Sequence, residues 1–587
     1  MKKFDPVSII GVALCLALMV AGGYYTSRQQ RIAASEYAAR QSVPVQKDAA
    51  VPAVVSGEST AAAEKPALSA ELREAPVREA VSIGVDGLFT AKVDPSGDGV
   101  RQVQMERYAV QTRDRERKGE RQVMDAGSAP FLRLSVDGTA LYEAAAPEYA
   151  DGAVTSHRMD AGALFAVDET WSAAPSAGAE ENYVVSYTLK LTNRTPGYLT
   201  LPQLYMSCGS LKGFLGEGSN STFTKYAAGS VAFSAVDDDG GELLRGSDLT
   251  AKKLAKKGDR YRHTPLSWLG VSSKYFLFAL MDLEIDGQRT PFAGFVPAEA
   301  GKGGDEYFRA AALLPAVKLQ PGESVTVTMR GYAGPKEFGR LTGMGQGLAS
   351  VVGMDYFWFW HFDWMAKLCH VMLKAMNFFA GWFPAGIAYG MGIILVTALV
   401  KLILLPVMRK SMSGMRKMSE MKPQLDEIRA KFKDDPQRMM YEQQKVYREH
   451  GVSMAGMGGC LPMLLQLPIF FAMYSTFNAA IEIRNAPFLW VADLSMPDAV
   501  FGLPIHPLAL LTGATMYLQQ KLTPTADPNQ ARMMNIMSLV FIVFFYNMPA
   551  GLTLYMTVNQ LSSIVQMLLF RHWDNKAKTA AATAAKA

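Results

Sequence analysis

Apolar runs long enough to cross a lipid bilayer are distributed very unevenly along this chain of 587 residues. A membrane-spanning helix needs about 20 mostly apolar residues. One such run, residues 7–24, follows Met1-Lys2-Lys3; the others crowd together after Trp382, and the middle of the chain has none. This distribution predicts a membrane protein with a large soluble domain between its first and second spans.

Residues 7–24 are compatible with a signal peptide or with an uncleaved anchor. The run ends in MVAGG, a weak cleavage site, and Leu14 before Cys15 does not suit a lipoprotein site. We therefore predict an anchor, residues 1–25, whose basic start stays in the cytoplasm. Residues 26–80 are rich in Ala, Val, Ser, Glu and Pro without a period, which predicts a flexible linker.

Cysteine count and charge exclude several classes of protein. Cys15, Cys208, Cys369 and Cys460 are too few and too scattered for a disulfide framework or a metal site. The net charge of +5 is modest for this length and argues against nucleic acid as the main partner. We expect no metal and no cofactor.

Residues 81–345 have the texture of β-strands. Apolar and polar residues alternate in short segments that end at Gly, Pro, Asn or Asp, for example VVSYTLKL at 184–191 and VTVTM at 325–329. Many such segments in one region predict a large β-sandwich.

An aromatic-rich segment, FWFWHFDWMAKLCHVMLKAMNFF, follows at residues 357–379. Its charged and titratable residues Asp363, Lys367, His370 and Lys374 recur every three or four positions and share one helical face. We predict that residues 346–381 contain an amphipathic helix that lies in the membrane interface.

Five further spans are predicted at about residues 384–408, 460–480, 502–520, 533–548 and 550–570, which with the anchor gives six transmembrane helices. The last two spans meet at NMPAG, residues 547–551, a turn sequence. Residues 409–452 carry eleven Lys and Arg, whereas residues 481–501 carry only Arg484. The positive-inside rule therefore puts both termini, the 572–587 tail and residues 409–452 in the cytoplasm, and the β domain outside.

Several predicted spans carry polar residues at helical spacing. They are Thr397 and Lys401 in the second span, Gln466 in the third, Thr512, Thr515 and Gln519 in the fourth, and Tyr555, Asn559, Ser562 and Gln566 in the last. Each hydroxyl or amide alone is explained by a hydrogen bond between helices, which contributes about 0.6 kcal/mol on average. Together with a lysine, however, the polar stripes favour a hydrophilic groove within the bundle.

Lys401 itself has two explanations, which the sequence leaves open. It precedes Arg409 by eight residues, which is about 12 Å along a helix, and a lysine stem can snorkel part of that distance. The other explanation is a water-filled cavity open to the cytoplasm. The intermediate depth of Lys401 favours this cavity, because the lysine stem is hardly long enough to bring the amine to the cytoplasmic surface.

The basic segment 409–452 predicts two helices joined near Asp434-Asp435-Pro436. Methionines recur there at every third position, namely Met412, Met415, Met418 and Met421. Methionine suits adaptable contact with varied apolar partners, so the strip is either a substrate contact or the seam of an antiparallel hairpin.

Residues 410–474, KSMSGMRKMSEMKPQLDEIRAKFKDDPQRMMYEQQKVYREHGVSMAGMGGCLPMLLQLPIFFAMY, closely resemble the YidC/Oxa/Alb family of membrane protein insertases. The resemblance continues through APFLWVADLS (486–495), QQKLTPTADPNQ (519–530) and FFYNMPAGLTLY (544–555). WLGVSSKYFLFAL (268–280) and YAGPK (332–336) are similar to the Gram-negative form of the family. The similarity covers nearly the whole chain except the linker.

The resemblance implies a function and a location. Members of this family are non-enzymatic insertases and chaperones of the bacterial inner membrane, acting alone or with the Sec translocon. A groove open to the cytoplasm and to lipid bears a positive charge that attracts the polar flank of a nascent inner-membrane protein. Insertion needs no ATP, and the chain has no G-x-x-x-x-G-K-[ST] loop. Implied partners are the Sec translocon with its accessory subunits, the ribosome and membrane lipids.

One residue departs from the family pattern, because bacterial members commonly have arginine where this chain has Lys401. Lysine keeps the charge but lacks the planar guanidinium fork.

Two other classes of function compete with this interpretation. The β domain resembles sugar-mutarotase folds, which suggests a carbohydrate-binding or carbohydrate-processing protein, but it offers no convincing acid and base pair; His157 and His263 are single histidines. A solute transporter would need inverted repeats and interrupted spans, which the sequence does not display.

Overall fold

A computed structural model of the protein describes most of the chain beyond residue 80. The described residues are 80–94, 99–110, 119–126, 130–136, 139–140, 148–150, 153–159, 165–173, 183–200, 204–212, 230–235, 242–245, 265–295, 307–354, 356–357, 360–361, 363–433, 435–449, 461–499, 506–522, 536 and 540–584. The predicted anchor and nearly all of the predicted linker lie outside them, as do Cys460 and His263. Except for Trp360–His361, the described residues belong to one compact unit.

The predicted β region consists of strands. In chain order they are β1 Val81–Val85, β2 Phe89–Asp94, β3 Gly99–Ala109, β4 Arg121–Asp125, β5 Phe131–Val136, β6 Thr139–Ala140, β7 Glu148–Ala150, β8 Ala153–Met159, β9 Phe165–Ser172, β10 Val184–Asn193, β11 Leu199–Thr200, β12 Leu204–Lys212, β13 Ser230–Ala235, β14 Glu242–Arg245, β15 Leu266–Ser272, β16 Phe276–Ile285, β17 Gln288–Arg289, β18 Ala293–Phe295, β19 Tyr307–Leu313, β20 Lys318–Leu319, β21 Ser324–Pro335, β22 Tyr356–Phe357 and β23 Trp360–His361.

Most of the described strands form two large antiparallel sheets. The main path of the first runs β1-β2-β3-β5-β12-β19-β18, and that of the second runs β14-β13-β15-β16-β21-β10-β9-β8-β7. The predicted alternation is visible where β10 pairs with β21: Tyr187 lies opposite Met329, and both side chains are buried. An alternating pattern fixes this register because a slip by one residue would turn each buried side chain outward.

The two sheets pack face to face, as a sandwich does. Phe131 of β5 stacks on Phe278 of β16, with ring centroids 4.8 Å apart. Trp171 of β9 donates its indole N–H to the carbonyl oxygen of Leu132 in β5 at 3.3 Å. Large aromatic side chains bury much apolar area and therefore stabilise such a core strongly. The predicted β-sandwich is found.

The C-terminal half of the chain is helical. The described helices are α1 Phe338–Gly343, α2 Asp363–Ala380, α3 Ala388–Glu420, α4 Lys422–Lys431, α5 Pro436–Glu449, α6 Leu461–Ala479, α7 Pro507–Leu522 and α8 Ala550–Ala584. Residues 540–546 are helical as well. Two short 3₁₀ turns are Leu348–Val352 and Ile481–Ile483.

Helix α8 is central in the bundle, because it contacts α3, α6 and α7. Its first turn is held by the connection between α6 and α7: the N–H groups of Ala550 and Gly551 donate to the carbonyl oxygens of Met496 and Leu494, both at 2.7 Å. These bonds satisfy donors that a helix start otherwise leaves unpaired. Helices α2 and α3 approach each other closely at a glycine. A Cβ on Gly392 of α3 would lie only 2.8 Å from the carbonyl oxygen of Met376 in α2, so a small residue is needed there.

The predicted amphipathic helix begins later than the sequence suggested. Residues 356–357 and 360–361 form the strands β22 and β23, and α2 starts at Asp363. Aromatic side chains favour extended backbone, and a carboxylate is favourable at a helix N-terminus. Within α2, Lys367 and Lys374 are exposed while Met365 and Met376 are buried, so the helix has two faces. Its location in the membrane interface stays a prediction.

The basic segment differs from the predicted pair of helices. Helix α3 passes through Pro406 and beyond residue 408 to Glu420, so the first part of the segment continues the predicted span. A break at Met421, which the sequence did not suggest, precedes α4. Pro423 lies in the first turn of α4, where a missing N–H removes no helical hydrogen bond. Helix α5 then begins at Pro436.

The described helices overlap several of the predicted spans. Among the described residues, Ala388–Pro406 of α3 is the segment whose length and composition allow it to cross a membrane. Helices α6, α7 and α8 overlap the predicted third, fourth and last spans, and α8 continues through the predicted tail to Ala584. The total of six transmembrane helices therefore stays a prediction.

Candidate functional site

Lys401 is buried inside the helical bundle. It lies in the apolar part of α3 and is only 6% exposed. Its amine Nζ donates a 2.7 Å hydrogen bond to Oγ of Ser563 in α8, and that hydroxyl donates to the carbonyl oxygen of Asn559 at 2.9 Å. Among the described side chains, no carboxylate forms an ion pair with Lys401. The cation is thus held by a neutral hydroxyl.

A second polar contact joins α6 to the same helix. The side-chain amide of Gln466 donates to the phenolic oxygen of Tyr555, whose side chain is almost completely buried. A buried phenol needs such a partner because an unsatisfied polar group costs about 1–3 kcal/mol. Gln466 and Tyr555, two of the predicted groove residues, are therefore in direct contact.

These contacts fall on one side of α8. Tyr555, Asn559 and Ser563 follow each other at intervals of four residues, so they lie along one helical face. Asn559 is buried, and the predicted groove residues Ser562 and Gln566 are partly buried. Lys401 from α3 and Gln466 from α6 thus converge on a single polar face of the last helix.

The hydroxyls of two predicted groove residues form hydrogen bonds within their own helices. Thr397 is buried and donates to the carbonyl oxygen of Ile393 at 2.6 Å. Thr515 donates to the carbonyl oxygens of Leu511 and Thr512, both at 2.9 Å. Such backbone hydrogen bonds make a hydroxyl compatible with an apolar setting. The structure gives neither residue a polar contact with Lys401.

Thr512 faces a different side of α8. Its Oγ1 lies 2.7 Å from Oγ1 of Thr557 and 3.1 Å from the carbonyl oxygen of Thr553. Thr557 is two positions from Tyr555, which is about 200° around a helix. Thr512 therefore joins α7 to α8 away from the face that contacts Lys401. Gln519, further along α7, is partly buried.

The methionine strip is only partly described. Met412, Met415 and Met418 belong to the C-terminal part of α3, and their side chains lie outside the described ones. Met421, at the turn between α3 and α4, is buried. The buried side chain of Met421 favours the seam of a hairpin. A contact of Met412, Met415 and Met418 with a substrate stays a prediction.

Sequence patterns missed two features of this site. The hydrogen-bond partner of Lys401 is Ser563 rather than the predicted neighbour Ser562, although Ser563 lies eight residues after Tyr555 and thus on the same face. Thr553 and Thr557 were not predicted; their spacing of four residues was the available signal. In the described part of the chain, no group of three or more His, Cys, Asp or Glu side chains is arranged to hold a metal ion.

Comparisons with known proteins agree with the division into two parts. The family model described as 60Kd inner membrane protein matches residues 378–578, and the model described as YidC periplasmic domain matches residues 177–368. The first match contains α3, α6, α7 and most of α8, and the second contains most of the strands of the sandwich.

Two curated relatives carry the name membrane protein insertase YidC. The protein from Pelobacter propionicus is 34% identical over 345 residues, which covers 57% of this chain and 60% of the relative. That from Syntrophobacter fumaroxidans is 37% identical over 350 residues, covering 57% and 58%. The chain thus matches less than two thirds of the length of these relatives.

Among solved structures, the chain is similar to a crystal structure of an active YidC insertase with its first transmembrane domain resolved. The sequence identity is 17%, the TM-score is 0.34, and the alignment covers 84% of this chain and 94% of that one.

Proposed function

Because the chain belongs to the YidC family of inner membrane proteins, we propose that it is a membrane protein insertase of the bacterial inner membrane. It inserts newly made inner-membrane proteins and helps them to fold. This is the work of an insertase and chaperone rather than of an enzyme, and it requires no cofactor.

Lys401 is the observation that carries the proposal. Its cation is buried in an apolar helix beside Ser563, with a neutral hydroxyl as its partner. A charge at this depth is expensive unless it faces a polar cavity or a functional partner. Because no described carboxylate neutralises it, it is available to attract an anionic group from a substrate.

In the proposed mechanism, the polar face of α8 forms one wall of a hydrophilic groove. Tyr555 and Asn559 contribute to this wall, with Gln466 and Lys401 beside it. The acidic or polar flank of a substrate enters from the cytoplasm and is attracted by Lys401. The substrate's apolar segment then leaves sideways into lipid, and the burial of about 20 apolar residues supplies the free energy without ATP.

We propose the topology that charge predicts. Six spans place both termini and the basic segment 409–452 in the cytoplasm, and the β-sandwich in the periplasm. The eleven Lys and Arg of that segment, against the single Arg484 in residues 481–501, support this orientation.

The proposed partners follow from the same family membership. They are nascent inner-membrane proteins, membrane lipids, the Sec translocon with its accessory subunits, and the ribosome, which would meet the cytoplasmic loops and tail. The methionines Met412, Met415, Met418 and Met421 are proposed to contact apolar substrate segments.

Reconstitution tests this function against the two other classes. The purified chain is placed in liposomes with a small protein of one or two spans, with sugar substrates, or with labelled solutes. We expect the small protein to become protected from protease in a chain-dependent manner. Sugar turnover or solute flux without insertion would contradict the proposal and would support a carbohydrate-processing protein or a transporter instead.

A further inference from the structure

The end of α6 is fastened to the β-sandwich through the residues that follow it. Arg484 is only 7% exposed, and its Nη2 donates to Oε1 of Gln122 in β4 at 2.7 Å. Its guanidinium carbon also lies 5.4 Å and 5.3 Å from the ring centroids of Tyr275 and Phe276. A buried guanidinium over aromatic rings combines cation–π attraction with apolar packing. The next residue, Asn485, donates its side-chain amide to the carbonyl oxygen of Ala109 at 3.1 Å.

A carboxylate sits in the same attachment. Glu482 is partly buried, and its Oε2 has no hydrogen-bond partner among the described residues. The charged and titratable groups close to it are Glu337, Tyr108 of β3 and Tyr389 of α3. Glu337 accepts a hydrogen bond from Tyr108 and pairs with Arg340 at 2.9 Å.

Glu482 lies close to the start of α1, because its carboxylate accepts a hydrogen bond from the N–H of Phe338, the residue after Glu337. Burial, and to a smaller extent the charge of Glu337, raise the pKa of Glu482 to about 7, although hydrogen bonds from the N–H groups of Glu482 itself and of Phe338 lower it. Because Arg340 is engaged by Glu337, the second carboxylate has no cation of its own in the described contacts.

We propose that Glu482 and Arg484 are positioning residues that fasten the end of α6 to the β-sandwich, and that this attachment is controlled by a proton because the buried Oε2 of Glu482 has no hydrogen-bond partner among the described residues. Since α6 carries Gln466, the attachment also fixes one side of the proposed groove. The attachment is independent of the proposed function, whereas its consequence for insertion rests on that function.

The direction of the pH effect follows from proton linkage. In the attached state the pKa of Glu482 is about 7, and once released into water its value returns to the ordinary 4.5. The attached state therefore binds more protons between these values. Attachment is strongest below the lower value and weakens as the pH rises toward 7, by at most about tenfold per pH unit.

Hydrogen exchange of the full-length chain in lipid nanodiscs tests this inference. Amides of residues 101–110 and 481–486 are followed at about pH 5, 6 and 7, with labelling times scaled for the intrinsic exchange rate. In the wild type we expect the protection of these residues to fall as the pH rises, by up to about tenfold per pH unit. Protection in residues 184–191, within the sandwich, should stay constant and reports that the domain remains folded.

Substitutions distinguish protonation of Glu482 from a general loss of structure. Glu482→Gln should give protection that does not depend on pH, and Glu427→Gln, at an exposed position of α4, should behave as the wild type does. Arg484→Ala should lose protection at every pH, and Arg484→Lys should restore part of it. If Glu482→Gln fails to fold, Glu337→Gln serves instead and should move the wild-type transition to lower pH.

Two results would overturn the inference. One is a protection in the wild type that does not depend on pH, and the other is a dependence of protection on pH in Glu482→Gln equal to that of the wild type. Failure of the chain to insert any protein into liposomes would contradict the proposed function while leaving this pH profile unchanged, so the two can fail separately.

Discussion

Nζ of Lys401 lies 2.7 Å from Oγ of Ser563, and this hydrogen bond joins α3 to α8 within the bundle. The contact places the buried cation of one helix on the polar face of another, where Tyr555 also meets Gln466 of α6. Three helices thus contribute polar groups to one face.

Removal of the hydroxyl beside Lys401 should destabilise the bundle slightly. Ser563→Ala leaves the amine without its partner, and we expect a loss of about 0.6–1.7 kcal/mol, the range measured for hydrogen bonds between membrane helices. Ser562→Ala, one position away, is the matched control and should change stability much less. Thermal unfolding in detergent measures both; equal losses would contradict the assigned partner.

Gln466 and Tyr555 should be energetically coupled. In a double-mutant cycle of Gln466→Ala and Tyr555→Phe, each single change removes the same hydrogen bond. The coupling energy should be about 0.6 kcal/mol or more. Denaturation of the four proteins under identical conditions gives this value, and strictly additive losses would show that the contact contributes nothing.

The two sides of α8 should behave differently toward a substrate. A photo-crosslinking residue at Asn559, on the face that meets Lys401, should capture a stalled nascent chain. The same residue at Thr557, on the face that meets Thr512, should capture it far less often. Positions 397, 401 and 555 extend the scan. Equal capture at 557 and 559 would refute a groove confined to one face.

Gly513 should be intolerant of a larger side chain. A Cβ at this position of α7 would collide with the side chain of Ile542, so Gly513→Ala should cost about 1–3 kcal/mol. Adding Ile542→Ala should recover part of the loss. Gly386→Ala is the control, because its Cβ would meet no atom within 4 Å. Unfolding midpoints compare the variants, and equal stability of Gly513→Ala and Gly386→Ala would contradict the close packing.

Local sequence patterns predicted much of this architecture. Alternation marked the strands β10 and β21, since burial on one face repeats every second residue. The depth of Lys401 was visible because an apolar run of known pitch surrounds it. Tyr555 and Asn559 were predicted to share one face of a helix because four-residue spacing keeps side chains on one side.

Other features depend on contacts that no local pattern encodes. Ser562 and Ser563 differ by only 100° around α8, so spacing alone did not decide which of them meets Lys401. Thr512 was grouped with the groove because the sequence does not tell which side of α8 it approaches. The bond between Arg484 and Gln122 spans 362 residues and arises only when the sandwich and the bundle are both folded.

Insertion by charge variants at Lys401 tests the central claim most directly. Liposomes carrying the wild type, Lys401→Ala or Lys401→Arg receive two substrates that differ only in their tails, one acidic and one with Asn and Gln in place of Asp and Glu. We expect Lys401→Ala to lower insertion of the acidic substrate by about tenfold, which is about 1.4 kcal/mol. Insertion of the neutral substrate should change little, and Lys401→Arg should restore insertion of the acidic one. Equal insertion of the acidic substrate by Lys401→Ala and the wild type would contradict the account.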